Sequence, residues 1–158
     1  MSVDENHLRE LLKGARLLRR PLSVPACVID TNVVLDLLYF SDPKSESLEK
    51  ALQSRSIVAV GHYDTLYEFC DVIARAQFKL SEEEQEELIG RWLSLHEILD
   101  EPLHDCAFCK DPDDDKFFNL AQGCSAAFLI SKDKKVLKAR GKAKRFGCAV
   151  IKPENFRI

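Results

Sequence analysis

The feature that most constrains the fold is a repeated alternation. Short apolar runs, CVI at 27–29, IVAV at 57–60, AAFLI at 126–130 and CAVI at 148–151, are separated by longer stretches with helical apolar spacing. Uniformly apolar runs of that length suit strands covered on both faces, and strand–helix alternation suits parallel pairing with helices on both sides. The expected class is α/β: a three-layer sandwich with a central, mostly parallel sheet of four to five strands. HEIL at 96–99 is either a further short strand or the end of the helix before it.

Between the runs, punctuation sets the helices. Residues 4–20 carry Leu8, Leu11, Leu12 and Leu18 near helical spacing, and Pro21 and Pro25 then interrupt the pattern. Residues 1–25 are therefore expected to be a helical extension and linker, and 26–158 the main domain. Helices are expected over 32–40, 44–54, 63–77, 113–123 and 133–141, with Pro43 in the first turn of the second. Ser81 with Glu84 has capping-box spacing and predicts another helix start.

Composition excludes some classes. No apolar run approaches the ~18–20 residues of a membrane helix, and the charged N-terminus lacks a secretory core, so a cytoplasmic protein is expected. Cys27, Cys70, Cys124 and Cys148 sit in apolar contexts, which predicts reduced thiols. Cys106 and Cys109, preceded by His104, have the spacing of half a zinc site, but no second pair completes it. DPDDD lacks the Gly and the closing Glu of a calcium loop, and there is no Gly-rich phosphate loop. Charge is unevenly spread. Residues 81–101 are acidic, whereas 132–145 hold eight Lys or Arg and one Asp. This is either two solvated faces or one face that attracts phosphates and one that repels them.

The carboxylates sit where the strands end. CVI runs into Asp30, AAFLI is followed by Ser131, Lys132 and Asp133, and Asp111, Asp113, Asp114 and Asp115 cluster at a helix start. Open parallel sheets bind ligands beyond the carboxyl ends of their strands. Asp30 alone could cap the helix that follows it. Several carboxylates at one edge raise one another's pKa unless a cation neutralises them, and a hard divalent ion such as Mg²⁺ or Mn²⁺ suits oxygen donors.

These motifs resemble the PIN domain, the nuclease fold of VapC-type toxins, over roughly 26–156. The matching stretches are VIDTNV at 28–33, YEFCDVI at 67–73, CKDPDDDKFFNLA at 109–121, FLISKDKKVL at 128–137 and the closing IKPENF. The resemblance implies four acidic catalytic and metal-binding positions, Asp30, Glu68, Asp114 and Asp133. Asp114 is chosen because the family's Asp lies seven residues before an Ala, here Ala121. Asp111 and Asp115 are then supporting or alternative ligands. Thr31, Asn32 and Ser131 match polar positions that line such a site, Ser131 standing where many relatives have Thr. Glu68 is mid-helix, and its spacing does not by itself separate a surface residue from a site residue.

The implied activity is endoribonucleolytic: a Mg²⁺- or Mn²⁺-dependent hydrolase leaving 5′-phosphate and 3′-hydroxyl ends, as the toxin of a toxin–antitoxin pair. The implied partners are RNA, an antitoxin protein that occupies the groove, and a second copy in a homodimer. Lys132, Lys134 and Lys135 lie beside Asp133 and, with Lys138, are the expected phosphate contacts. Tyr63, Tyr67 and Phe40 are either base-stacking rings or core. Two rivals remain: a non-catalytic PIN-like module that binds RNA or protein, and a phosphatase. The second would want an Asp-x-Asp pair at a strand end, where this chain has Asp30, Thr31 and Asn32.

Overall fold

A computed structural model describes residues 3–157, so the ends of the predicted spans, Met1, Ser2 and Ile158, lie outside the described residues. Five short strands form one sheet: β1 (Ala26–Ile29), β2 (Val58–Gly61), β3 (His96–Ile98), β4 (Phe128–Ile130) and β5 (Ala149–Ile151). Every pairing is parallel, in the order β3-β2-β1-β4-β5. HEIL is thus a strand at one edge. The connecting helices are α1 (Glu5–Lys13), α2 (Thr31–Leu35), α3 (Glu46–Gln53), α4 (Tyr63–Ile73), α5 (Glu82–Leu95), α6 (Asp115–Gly123), α7 (Lys134–Lys138) and α8 (Arg140–Lys144).

Side-chain alternation along β1 divides the core into two. Cys27 and Ile29 face one layer with Val33, Leu66, Phe69 and Trp92. Ala26 and Val28 face the other, with Phe117, Phe118, Leu120 and Val136. Both faces being buried explains why the strands read as unbroken apolar runs. The predicted capping box forms: the Ser81 hydroxyl accepts from Glu84 N, and Glu84 accepts from Ser81 N. The six cysteines are free thiols, with Cys27, Cys70, Cys124 and Cys148 buried.

Some predicted elements are shorter. The helix expected over 4–20 stops at Lys13. Leu8 is 2% exposed in the first core, whereas Leu18 packs against the second, and one helix cannot serve both layers. Burial of a side chain such as Leu8 contributes roughly 1.5–3 kcal/mol, and α1 packs on α4. After Gly14 the chain extends along β3, where Ile98 N donates to Arg16 O and Leu18 N donates to Ile98 O, both at 2.8 Å. The helix expected over 32–40 changes at Asp36 to a π-helical turn ending at Phe40. That expected over 63–77 ends at Ile73, and that over 133–141 breaks at Ala139 between α7 and α8.

The order of the strands positions the site. From β1 the chain winds outward through β2 and β3, then returns to lay β4 and β5 on the other side of β1. The direction of winding therefore reverses between β1 and β4, the place where open parallel sheets bind ligands beyond the strands' carboxyl ends.

Candidate active site at the carboxyl edge of the sheet

Asp30 leaves β1 at this reversal of winding. Its N–H stays in the ladder, donating to Ile130 O at 2.9 Å, and its carbonyl accepts from Val33 N and Val34 N to open α2. The carboxylate makes no capping hydrogen bond. It turns to the neighbouring strand end, where Oδ2 accepts from the Ser131 hydroxyl at 2.6 Å. Asp30 is therefore a helix start through its backbone only, and the capping role anticipated for its side chain is absent. Ser131 also accepts from Asp133 N at 3.0 Å, so one hydroxyl registers both aspartates. Asp133 Oδ1 in turn caps α7 by accepting from Lys135 N at 2.7 Å.

The acidic cluster divides by role. Asp111 opens a 3₁₀ turn over Pro112–Asp114 by accepting from Asp113 N. Asp115 Oδ1 accepts from Phe108 N and Cys109 N, at 2.9 and 2.7 Å, which folds the loop down onto α6. Asn119 secures the same loop, exchanging hydrogen bonds with Cys106 N and O. Asp114, between them, has Oδ2 buried with no hydrogen-bond partner. Burial, then the charges of Asp30, Asp133, Asp111 and Glu68, push its carboxyl up to about 7. Asp30 is pushed up to about 6 by burial, with the Ser131 hydrogen bond opposing and Glu68 and Asp133 adding like charge.

Glu68 is held from two sides. The Thr31 hydroxyl donates to Oε2 and Lys116 Nζ lies 3.0 Å from Oε1. His62 sets the start of α4, on which Glu68 rides: its Nδ1 accepts from Asp64 N at 3.0 Å, while Nε2 lies 2.7 Å from Glu101 O. Asn32 is exposed.

Sequence reasoning missed Lys116 and Asp36. Lys116 was visible as the cation closing DDDK. Asp36 is 5% exposed and lies 2.6 Å from Lys132 Nζ through Oδ2. A lone Asp inside LDLL was its only signal. Lys132 is thus engaged internally, and Lys135 Nζ lies 3.9 Å from Asp111 Oδ2. Lys134 and Lys138 are exposed. Tyr63 and Tyr67 pack against the first core, whereas Phe40 is 57% exposed. A cleft of about 1010 Å³ lies elsewhere, beneath residues 16–24, and is lined by none of these carboxylates.

A family model described as PIN domain matches residues 26–135, most of the chain. The chain belongs to the PIN-domain family. No curated protein matches it. The PIN domain is a nuclease-type fold, PIN nucleases generally use divalent metals, and PIN domains commonly bind RNA. Two features of this PIN domain suit such an ion: the acidic side chains at the edge offer hard carboxylate oxygens, and Asp114 Oδ2 is a buried carboxylate oxygen without a partner. Among the described residues, no three Asp, Glu, His or Cys side chains already stand close enough together to ligate one ion. No helix of the described PIN domain is long and apolar enough to cross a membrane.

Proposed function

We propose that the protein is a divalent-metal-dependent endoribonuclease, the toxin half of a toxin–antitoxin pair. One observation carries the reading: β1 and β4, adjacent at the reversal of winding, deliver Asp30 and Asp133 to an edge where the Asp30 and Asp114 carboxyls are pushed up to about 6 and about 7. Carboxyls raised by burial and by one another's charge are the kind that a bound cation relieves. Asp30, Asp114 and Asp133 would hold Mg²⁺ or Mn²⁺, with Glu68 beside them. When bound, such an ion supplies a Lewis acid that lowers the pKa of a water and neutralises charge on the phosphate.

The chain's own residues do the positioning. Ser131 keeps Asp30 and Asp133 in register. Thr31 fixes the angle of Glu68, which can orient or deprotonate the attacking water. Exposed Lys134 and Lys138 can contact backbone phosphates, which position RNA without choosing its sequence. Residues 26–158 would form the nuclease unit, with 1–25 as an extension on it.

The test is cleavage of a labelled single-stranded RNA with Mn²⁺, Mg²⁺ or EDTA, beside Asp114→Asn. Metal-dependent cutting that Asp114→Asn lowers by at least a hundredfold supports the nuclease. Equal cutting by both proteins sinks it. The rival reading, a module that binds RNA or a partner protein without cutting, draws on the Lys116–Glu68 ion pair, which neutralises one carboxylate without metal. It takes first place if RNA or a partner protein binds and no condition yields cleavage.

A further inference from the structure

We propose that Lys116 is a built-in substitute for a second metal ion, so that the site takes one divalent cation and keeps Glu68 out of its coordination shell. The proposal rests on the nuclease reading above and makes it more specific.

The geometry separates Glu68 from the three aspartates. Lys116 projects from the first turn of α6, two residues beyond Asp114, and its Nζ reaches Glu68 Oε1 at 3.0 Å. Both side chains are mostly buried, at 25% and 20% exposure, so solvent screens the pair weakly. Glu68 Oε2 is taken by the Thr31 hydroxyl, from the start of α2. Glu68 therefore has a protein partner on each oxygen, supplied by two different elements. The aspartates differ. Asp30 engages one oxygen with Ser131, Asp133 engages one with Lys135 N, and Asp114 Oδ2 is buried with no partner.

Charge favours the same division. A second divalent ion at Glu68 would have to displace an ammonium group already within hydrogen-bond distance, or sit beside it against direct repulsion. Lys116 neutralises Glu68 without being a ligand that dissociates. It acts as a positioning residue: it holds Glu68 at a fixed place beside the ion, where a carboxylate can orient a water rather than bind metal.

The experiment counts Mn²⁺ ions bound to the full chain at fixed pH and salt, by the loss of the free Mn²⁺ paramagnetic signal and by calorimetry. Wild type is expected to take one ion. Lys116→Met should admit a second, or tighten it at least tenfold, and Lys116→Arg should remain at one. Adding Glu68→Gln to Lys116→Met should return the count to one. Glu68→Gln alone should leave the first ion within about threefold of wild type. Two ions on wild type, the second lost in Glu68→Gln, would overturn the proposal. So would a folded Lys116→Met protein that binds as wild type does. If Lys116→Met does not fold, the wild-type count and Glu68→Gln decide alone. Asp30→Asn separates the two readings. If it leaves the first ion unweakened, the carboxylate edge is not the metal site and both readings fall. If it removes that ion while Lys116→Met changes nothing, only the role of Lys116 falls.

Discussion

Ser131 Oγ donates to Asp30 Oδ2 at 2.6 Å, joining two residues 101 positions apart in the chain. The same oxygen accepts from Asp133 N, so a single hydroxyl couples the ends of β1 and β4. Ser131→Ala should cost about 1–2 kcal/mol in urea unfolding, the usual consequence of leaving a buried polar group unpaired. The hydrogen bond lowers the carboxyl that burial raises, so its loss should also shift the acid limb of any pH–rate profile upward. Ser131→Thr keeps the hydroxyl and should restore both. An unshifted profile in Ser131→Ala would disprove this coupling.

Asp114 strains the metal-free protein at neutral pH. Its carboxyl rises from 3.8 to about 7 on folding, so the native state binds more protons than the unfolded state across that interval. Its favourable contribution is complete below about pH 4 and is lost as pH rises through 7. Asp114→Asn in EDTA should therefore melt higher than wild type at pH 8, with the difference closing as pH falls toward 4. Added Mn²⁺ should raise the melting temperature of wild type more than that of the variant, since it binds the native state.

His96 has the opposite sign. Buried, stacked on Trp92 at 4.0 Å and with Nδ1 2.7 Å from Trp92 O, it is held down to about 4 by burial. Its contribution is complete above the ordinary value of 6.5 and is lost as pH falls toward 4. Wild type should lose more stability than His96→Phe between pH 6.5 and 4, measured by chemical unfolding at each pH.

Gly61 and Gly90 should respond oppositely to alanine. A Cβ on Gly61 would lie 2.5 Å from Trp92 Cη2 and 3.3 Å from His96 Cβ, inside a packed core. Gly61→Ala should cost about 1–3 kcal/mol or more. Gly90 is exposed within α5, and a Cβ there would meet nothing within 4 Å, so Gly90→Ala should stabilise by about 0.5–1 kcal/mol. Thermal unfolding of both variants checks the pair.

His62→Ala removes the cap of α4 and the tie to Glu101 O. A loss of about 1 kcal/mol is expected from the cap alone. His62→Asn can keep the cap and should recover most of it. Equal losses in the two variants would place the effect in the Glu101 contact instead.

The strands were legible because burial on both faces leaves an unbroken apolar run, as at Cys27–Val28–Ile29. The capping box at Ser81 was legible because it is local. The extended path after Gly14 was not: Leu18 keeps helical spacing, and its pairing with Ile98 is a contact across 80 positions. At the candidate site, the places of Asp30 and Asp133 at strand ends were readable from the apolar runs before them. Asp114 was set apart from Asp115 only through the family spacing to Ala121, because the hydrogen bonds that occupy Asp115 come from the amides of Phe108 and Cys109, which no local pattern marks. Lys116 and Asp36 escaped notice for a similar reason, since each matters through a partner distant in sequence.

The segment from Arg16 to Leu18 lies along β3 and engages both the N–H and the C=O of Ile98. That side of the sheet is thereby capped, in the way proteins protect exposed edges against pairing with another chain. β5 ends the sheet on the other side, and among the described residues no strand lies beyond it. Among the described residues, β5 is thus the edge of this sheet that carries no such cap.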